Sequence, residues 1–260
     1  MKKSESIGSK LAPIIFVLLL LILWQVVVMA GGIEKYIMPA PTDVINVLIT
    51  EFKTMIPHIL ATLYEGMVGF LIAIVLSIVL AIIMDRFSLV KKALYPVLVI
   101  SQTIPTVALA PLFIIWFGFG ALPKIIVVVI VCFFPIVISI VDGLEGVDKD
   151  LINHFKLMGA SKLKVFLHLK LPYGMINFFS GMRIAATYSI MGAVIGEWLG
   201  GDKGLGVYMT RARSAYALDK MFAAIVIIVV ISMAIFLLVS IMEKIFTPWN
   251  NKKINNKQEK

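Results

Sequence analysis

The chain has 260 residues, 60% of them hydrophobic and 15% charged, with 24 lysines and arginines against 15 acids for a formal charge of +9. Soluble domains carry roughly 45–50% apolar and about 25% charged residues, so this composition leaves too little charge to cover a water-facing surface. The basic residues sit between long apolar runs and not along one polar face, which argues against nucleic acid. The single cysteine, Cys132, excludes a disulfide framework or a cysteine metal site.

A bilayer core needs about 20 mostly apolar helical residues per span. The first such run is 11–30, broken only by Gln25. Val28-Met29-Ala30 before Gly31 mimics a cleavage site, but the run exceeds the usual core of a secretion signal, so a retained anchor is expected. Residues 31–57 follow, where Pro39 and Pro41 stop the first helix and Thr42 is the expected N-cap, with Asp43 at the positive helix end. Val44, Val47, Leu48 and Phe52 then recur at helical spacing, as in a short amphipathic helix that lies in the interface or packs on the rim.

The second span, 58–84, contains Glu65, whose charge must face the bundle, a wet cavity or the interface. The third, 93–119, holds Pro96, Pro105 and Pro111. Pro105 and Pro111 are expected to break its hydrogen bonding, and irregular backbone at that depth must face protein or a cavity. Residues 103–110 are therefore candidates to line a path, with a plain kink as the alternative. The fourth span, 124–141, is the shortest.

In the segment 142–172, Asp148 or Asp150 can cap a helix in which Leu151, Phe155 and Met158 share a face. Gly159 can supply the left-handed turn that ends it. Ser161 can cap a second short helix carrying Val165, Phe166 and Leu169, which Pro172 is expected to stop. Apolar residues in such a helix–Gly–helix loop suggest a docking element for a cytoplasmic partner.

The fifth candidate, 173–195, holds Asn177 and Arg183, but two interleaved ladders of small residues favour it as a packed span. Gly181, Ala185, Ser189 and Ala193 form one, and Gly192, Gly196 and Gly200 the other. Arg183 is expected to snorkel toward the inner surface. Glu197 and Trp198 fall at its outer end, as path lining or as a helix-end anchor, and Arg211, Arg213 and Lys203 read as solvated charge, with attraction of an anionic substrate or a binding-protein acid as the alternative. The last span is 221–246. With six spans and cytoplasmic termini, the inner segments hold sixteen cations and eight acids, and the outer ones seven and six. The basic excess then records orientation by the positive-inside rule.

The segment Asp150-Leu-Ile-Asn-His-Phe-Lys-Leu-Met-Gly159, continuing to Leu171-Pro172 and Gly181-Met-Arg183, resembles the cytoplasmic signature loop of ABC importer permease subunits. Gly159, Leu171 and Pro172 match that pattern, whereas Asn153, His154 and Phe155 replace its Glu-Ala-Ala. Ile104-Pro105-Thr-Val-Ala-Leu-Ala-Pro111-Leu-Phe-Ile-Ile-Trp116-Phe-Gly118-Phe-Gly120 is similar to the third span of the alkanesulfonate, nitrate and taurine branch. Gly196-Glu197-Trp198 through Gly204-Leu205-Gly206 is similar to the segment before that branch's last helix. The run from Ala185 to Trp198 looks more like the branch's relatives that import vitamin precursors, such as the thiamine pyrimidine and riboflavin.

The resemblance implies an all-α, polytopic fold with six transmembrane helices, of the type I ABC importer permease kind, in a bacterial inner membrane. It implies a second permease copy, two cytoplasmic ATP-binding subunits and an extracytoplasmic solute-binding protein, with no cofactor and no nucleic acid. ATP-driven closure of those subunits would tilt the bundle as rigid bodies. The chain lacks a Gly-x-x-x-x-Gly-Lys-Ser/Thr loop and is not expected to be the ATPase. Asn153, His154, Phe155, Met158, Gly159, Leu171 and Pro172 are the expected ATPase-coupling residues. Glu65, Thr103, Pro105, Pro111 and Glu197 are the candidate path residues. The expected organisation is an anchor and outer helix over 1–57, a permease core over 58–246 with its loop at 142–172, and a basic tail over 247–260. Two other classes compete. An intramembrane protease would need a serine–histidine pair at one depth, and none can be assembled. An ATP-independent transporter or channel often has repeated halves, which are not found, and it would leave the loop unexplained.

Overall fold

The computed structural model describes residues 7–249, with side chains from Leu11 onward. Most of the basic tail therefore lies outside the described residues. The described chain is all helical: α1 Ile7–Ala30, α2 Pro41–Thr50, α3 Phe52–Arg86, α4 Ser88–Ser101, α5 Thr106–Phe117, α6 Ala121–Glu145, α7 Lys149–Leu157 and α8 Lys162–Val165. A π-helical turn, Phe166–Lys170, runs into α9 Leu171–Trp198, followed by α10 Leu205–Ser214 and α11 Leu218–Phe246. Five helical stretches are long and apolar enough to cross a membrane, and α4 with α5, bent by 100°, makes a sixth if the pair is one span.

The centre of the bundle is the seam between α6 and α9, and small residues set its closeness. A Cβ on Gly181 would lie 2.8 Å from the Pro135 carbonyl oxygen, and one on Gly196 would lie 3.0 Å from the Lys124 Cα. Ala185, Ser189 and Ala193 are fully buried between these glycines. The first ladder, with Gly192 and Gly196 of the second, thus brings backbone close to backbone, as packing in lipid requires, whereas Gly200 lies beyond α9 against the Phe119 ring. Helix α3 joins the seam through Gly66 and Gly69, where side chains would collide with Ile190 and Val128. Ile136, Val137, Phe179 and Ile190 fill the core that results. Arg183 does not snorkel free: it pairs with Glu243 of α11 at 2.6 Å.

We call the end that carries α7 and α8 the loop end, and the opposite one the far end. At the far end α2 does not lie loose. Val44 and Val47 are buried against Leu205, Tyr208 and Met209 of α10 and Ala223, Ala224 and Ile227 of α11, so α2 is a packing element. Its N-cap is Ala40 and not Thr42, because Pro41 takes the first helical turn and Asp43 reaches back to accept the Ala40 N–H at 3.1 Å. Thr42 instead meets Gln25 of α1.

Two expectations about proline fail for one reason, that a break needs more than the residue. Pro172 does not stop the helix before it. The chain runs through, because the π-helical turn just upstream takes up the irregular bonding that Pro172, with no N–H to donate, imposes. Pro111 likewise stays inside α5. Only Pro105, as the N-cap of α5, marks a real break, and residues 102–105 are the irregular stretch.

Glu51, between α2 and α3, accepts from the Tyr208 hydroxyl at 2.9 Å and pairs with Lys220 at 2.5 Å, which ties three elements together at the far end. The Lys220 ammonium holds the Glu51 carboxyl below its ordinary value of 4.5, against the opposing pull of burial. Lys35 does the same for Asp43. A carboxyl depressed on folding stabilises fully above its unfolded pKa, and that contribution is lost as pH falls through the folded value. Thermal unfolding of the detergent-solubilised chain from about pH 6 to about pH 3 should therefore show a smaller acid-induced drop in Tm for Glu51→Gln than for wild type. Identical drops would show that the Glu51 pairing does not stabilise the far end.

Candidate functional site

Helix α7 begins where Asp148 accepts the Asp150 N–H at 2.8 Å. It ends in two bonds that close its last turn, Gly159 N–H to Lys156 O and Ala160 N–H to Phe155 O, both at 3.0 Å. Gly159 has φ +79°, the left-handed conformation this closure requires. Ser161 then caps α8 by accepting the Lys164 N–H at 3.3 Å. The loop is thus a defined helix–Gly–helix, as its sequence predicts, yet α7 has no buried residue. Leu157 and Met158 are each 84% exposed and Leu163 is 65% exposed, with Leu151 also open and Phe155 half-buried. Asn153 and His154 are exposed beside them. Leu171 and Pro172 belong to the start of α9, beyond α8 and the π-helical turn, and are not part of this apolar face.

The second feature is a cavity of roughly 400 Å³ at the break between α4 and α5. Ser101, Gln102, Thr103, Pro105 and Thr106 line one side, and Phe134, Tyr188 and Met191 the other. The Ser101 and Thr103 hydroxyls bond back to Val97 and Ile100 carbonyls, both at 2.7 Å. Gln102 and Tyr188 add an amide and a phenol to its lining. No charged side chain lines it. Thr103 and Pro105 of the candidate path residues are here, whereas Glu65, Pro111 and Glu197 are not.

Glu65 and Glu197 lie instead in a sealed polar packet at the far end, which the sequence did not disclose. Lys124, read from sequence as an outer-loop cation, is only 4% exposed, and its Nζ donates to Glu65 Oε1 at 2.8 Å and to the Lys203 carbonyl at 3.4 Å. Glu197, 1% exposed, accepts the Thr62 hydroxyl at 2.6 Å on one oxygen and the Gly206 N–H at 2.6 Å on the other. Thr62 in turn accepts the Leu205 N–H at 2.8 Å. The first N–H groups of α10 are thus capped from α9 and α3. Glycines permit this wrapping: Gly204, at φ +133°, lies where any Cβ would strike the Glu197 carboxylate, and one on Gly206 would meet the Val194 carbonyl oxygen at 2.6 Å. The Gly-rich run after Glu197 is therefore a cap around a buried carboxylate. The available signal was Thr62 and Glu65 three residues apart on one face of an otherwise apolar helix.

Comparison with known proteins adds a family. A model described as the inner membrane component of binding-protein-dependent transport systems matches residues 73–252. The formylaminopyrimidine transport permease protein of Halalkalibacterium halodurans is 35% identical over 94% of this chain and 97% of its own length. The riboflavin transport system permease protein of Chloroflexus aurantiacus is 30% identical over 89% and 87%, respectively. The aliphatic sulfonates transport permease protein of Bacillus subtilis, a tentative name there, is 27% identical over 88% and 84%.

Removing one partner of a buried ion pair costs about 3–5 kcal/mol, because the other charge is left without compensation. Lys124→Met should destabilise the solubilised chain by that order, and adding Glu65→Gln should recover at least half of the loss. Thermal unfolding of the single and double variants measures this. Equal loss in both would mean that Glu65 does not depend on Lys124.

Proposed function

Because the chain belongs to the family of binding-protein-dependent transport system inner membrane components, we propose how it couples to its partners and what it carries. It is a permease subunit of an ABC importer, a multi-pass inner-membrane protein, with ATP hydrolysis on separate subunits. Our reading pairs two copies of this chain around the path, with two ATP-binding subunits below and a solute-binding protein above. Both termini and the loop end face the cytoplasm, in keeping with the excess of cations there. Residues 1–57 then act as an anchor and far-end packing element, 58–246 as the core, and 247–260 as a cytoplasmic tail.

The observation that carries the coupling assignment is the unpartnered apolar face of α7. A helix with both ends closed by its own bonds, yet presenting Leu157 and Met158 almost fully to solvent, is rigid enough to transmit force and lacks an occupant. Phe155, Met158 and Gly159 form the centre of the contact. Asn153 and His154 flank it where the family pattern has other residues, and Leu171 and Pro172 carry the push into α9.

The cavity at the α4–α5 break is our candidate for the solute path, with Thr103 and Pro105 on its wall. An uncharged lining with one amide, hydroxyls and the rings of Phe134 and Tyr188 suits a neutral planar heteroaromatic, which can stack and hydrogen-bond there. An anion would enter it without a counter-charge. The names of the pyrimidine and riboflavin relatives favour the same class over a sulfonate.

Phe155→Asp should reduce recovery of the ATP-binding subunit in detergent pull-down at least about tenfold, since a charge is placed in the contact. The yield and Tm of the permease itself should change little, because Phe155 is only half-buried and α7 has no fully buried residue. Undiminished recovery would remove α7 as the coupling element.

A further inference from the structure

A second cavity, roughly 740 Å³, lies at the loop end between α3 and the α7–α8 loop. It is separate from the candidate path, and of the exposed apolar residues at the loop end it shares only Leu163 of α8. Its walls divide by chemistry. Arg86, Lys156 and Lys162 bring three cations to it, and its one acid, Asp85, is neutralised by Lys170 at 2.6 Å. Ile82, Leu163 and Phe166 supply an apolar side. Among the described residues no carboxylate pairs with those three cations.

The height of this cavity follows from the elements that form it. Arg86 is the last residue of one membrane-crossing helix, and Lys162 opens the helical stretch that contains another. The apolar run of α3 ends at Met84, two residues before Arg86, which sets the cavity near the level of a membrane surface with its cations at the rim. From Arg86 the exposed side of α3 continues as Ile82, Val79, Val75 and Leu71, at spacings of four, three, four and four residues. This is one helical face, an apolar track about 20 Å long by helix rise, running from the cations toward the middle of the bilayer. On α7 the cavity takes Ile152 and Lys156, which are a different face from Leu151, Phe155 and Met158.

We infer that this cavity is a binding site for an anionic phospholipid of the leaflet at the loop end. The phosphate would be held among Arg86, Lys156 and Lys162, and one acyl chain would lie along the α3 track. Basic pockets at the membrane surface select anionic headgroups by charge, and the continuous apolar track favours a molecule with a chain over a free anion or a protein segment. The inference does not depend on the ATPase-coupling role of α7. A lipid wedged between α3 and α7 would nonetheless set the position of that loop relative to the bundle.

Native mass spectrometry of the detergent-purified full chain tests this, with phosphatidylglycerol and phosphatidylcholine of matched acyl chains offered at equal concentration. Phosphatidylglycerol should be retained at least about tenfold over phosphatidylcholine. The R86Q/K156Q/K162Q variant should lose the preference, Lys162→Gln alone should weaken it, and Lys53→Gln at the far end should leave it intact. Millimolar inorganic phosphate should not displace the lipid. The proposal is overturned by equal retention of both lipids, by a preference that survives in the triple variant, or by displacement with phosphate, which would mark a plain anion site. It is equally overturned if the triple variant loses the ATP-binding subunit while its lipid preference is unchanged, since the face would then belong to a protein.

Discussion

The bundle depends on one constraint: in an apolar medium, helices come together only where their backbones can touch and their polar groups can be satisfied inside. The α6–α9 seam meets the first half of that condition with Gly181, Ala185, Ser189, Ala193 and Gly196. The packet at its far end meets most of the second. There Lys124 of α6 pairs with Glu65 of α3, and Glu197 of α9 and Thr62 of α3 bond each other and cap the start of α10, while one Glu65 oxygen is buried without a partner. Glycine at 196 belongs to both, because it lets α9 approach the Lys124 backbone that the packet needs in place. Packing and charge compensation are one structural solution here.

The rest of the molecule divides by whether it shares that internal satisfaction. The far end largely does, through the packet and through Glu51 with Tyr208 and Lys220, apart from one Glu65 oxygen and the Trp24 indole N–H. Two places do not. At the α4–α5 break the backbone is irregular and Gln102 and Tyr188 line a cavity; on α7 a helix closed at both ends shows its apolar face to solvent. Unsatisfied groups held by a well-packed frame are where a ligand or partner contributes most, so both places carry the proposed function. The frame between them is the α6–α9 pair, and α9 begins beside the loop and passes Tyr188 on its way to Glu197. A displacement of the loop can reach the cavity along one rigid helix.

Much of this was legible in the sequence. Hydropathy located four of the long apolar helices outright, small-residue spacing added α9 and predicted the tight seam, and the run read as one span over 93–119 is two helices, α4 and α5, bent by 100°. Asp148, Gly159 and Ser161 announced the loop, since each serves a local backbone need that no distant residue changes. The failures were of a different kind. Thr42 lost the cap position to Pro41 and Ala40, and Pro111 and Pro172 were accommodated within helices, because tertiary packing decides whether a local breaker breaks. Lys124 was counted with outer-loop charge and is buried. Its partner lies 59 residues away on another helix, and no periodicity within one segment can reveal such a pair. Glu197 was read as path lining or anchor because its partners, Thr62 and Gly206, come together only when α3, α9 and α10 do.

The central claim is that this chain conducts a neutral heteroaromatic solute only when driven by ATP through its separate subunits. Proteoliposomes holding the permease, its ATP-binding subunit and its solute-binding protein measure this directly, with ATP enclosed on the side of the loop end and a labelled aminopyrimidine outside. The account predicts uptake that requires ATP, the ATP-binding subunit and the solute-binding protein together, and that is not competed by a sulfonate. Uptake that persists without ATP or without the ATP-binding subunit would contradict it.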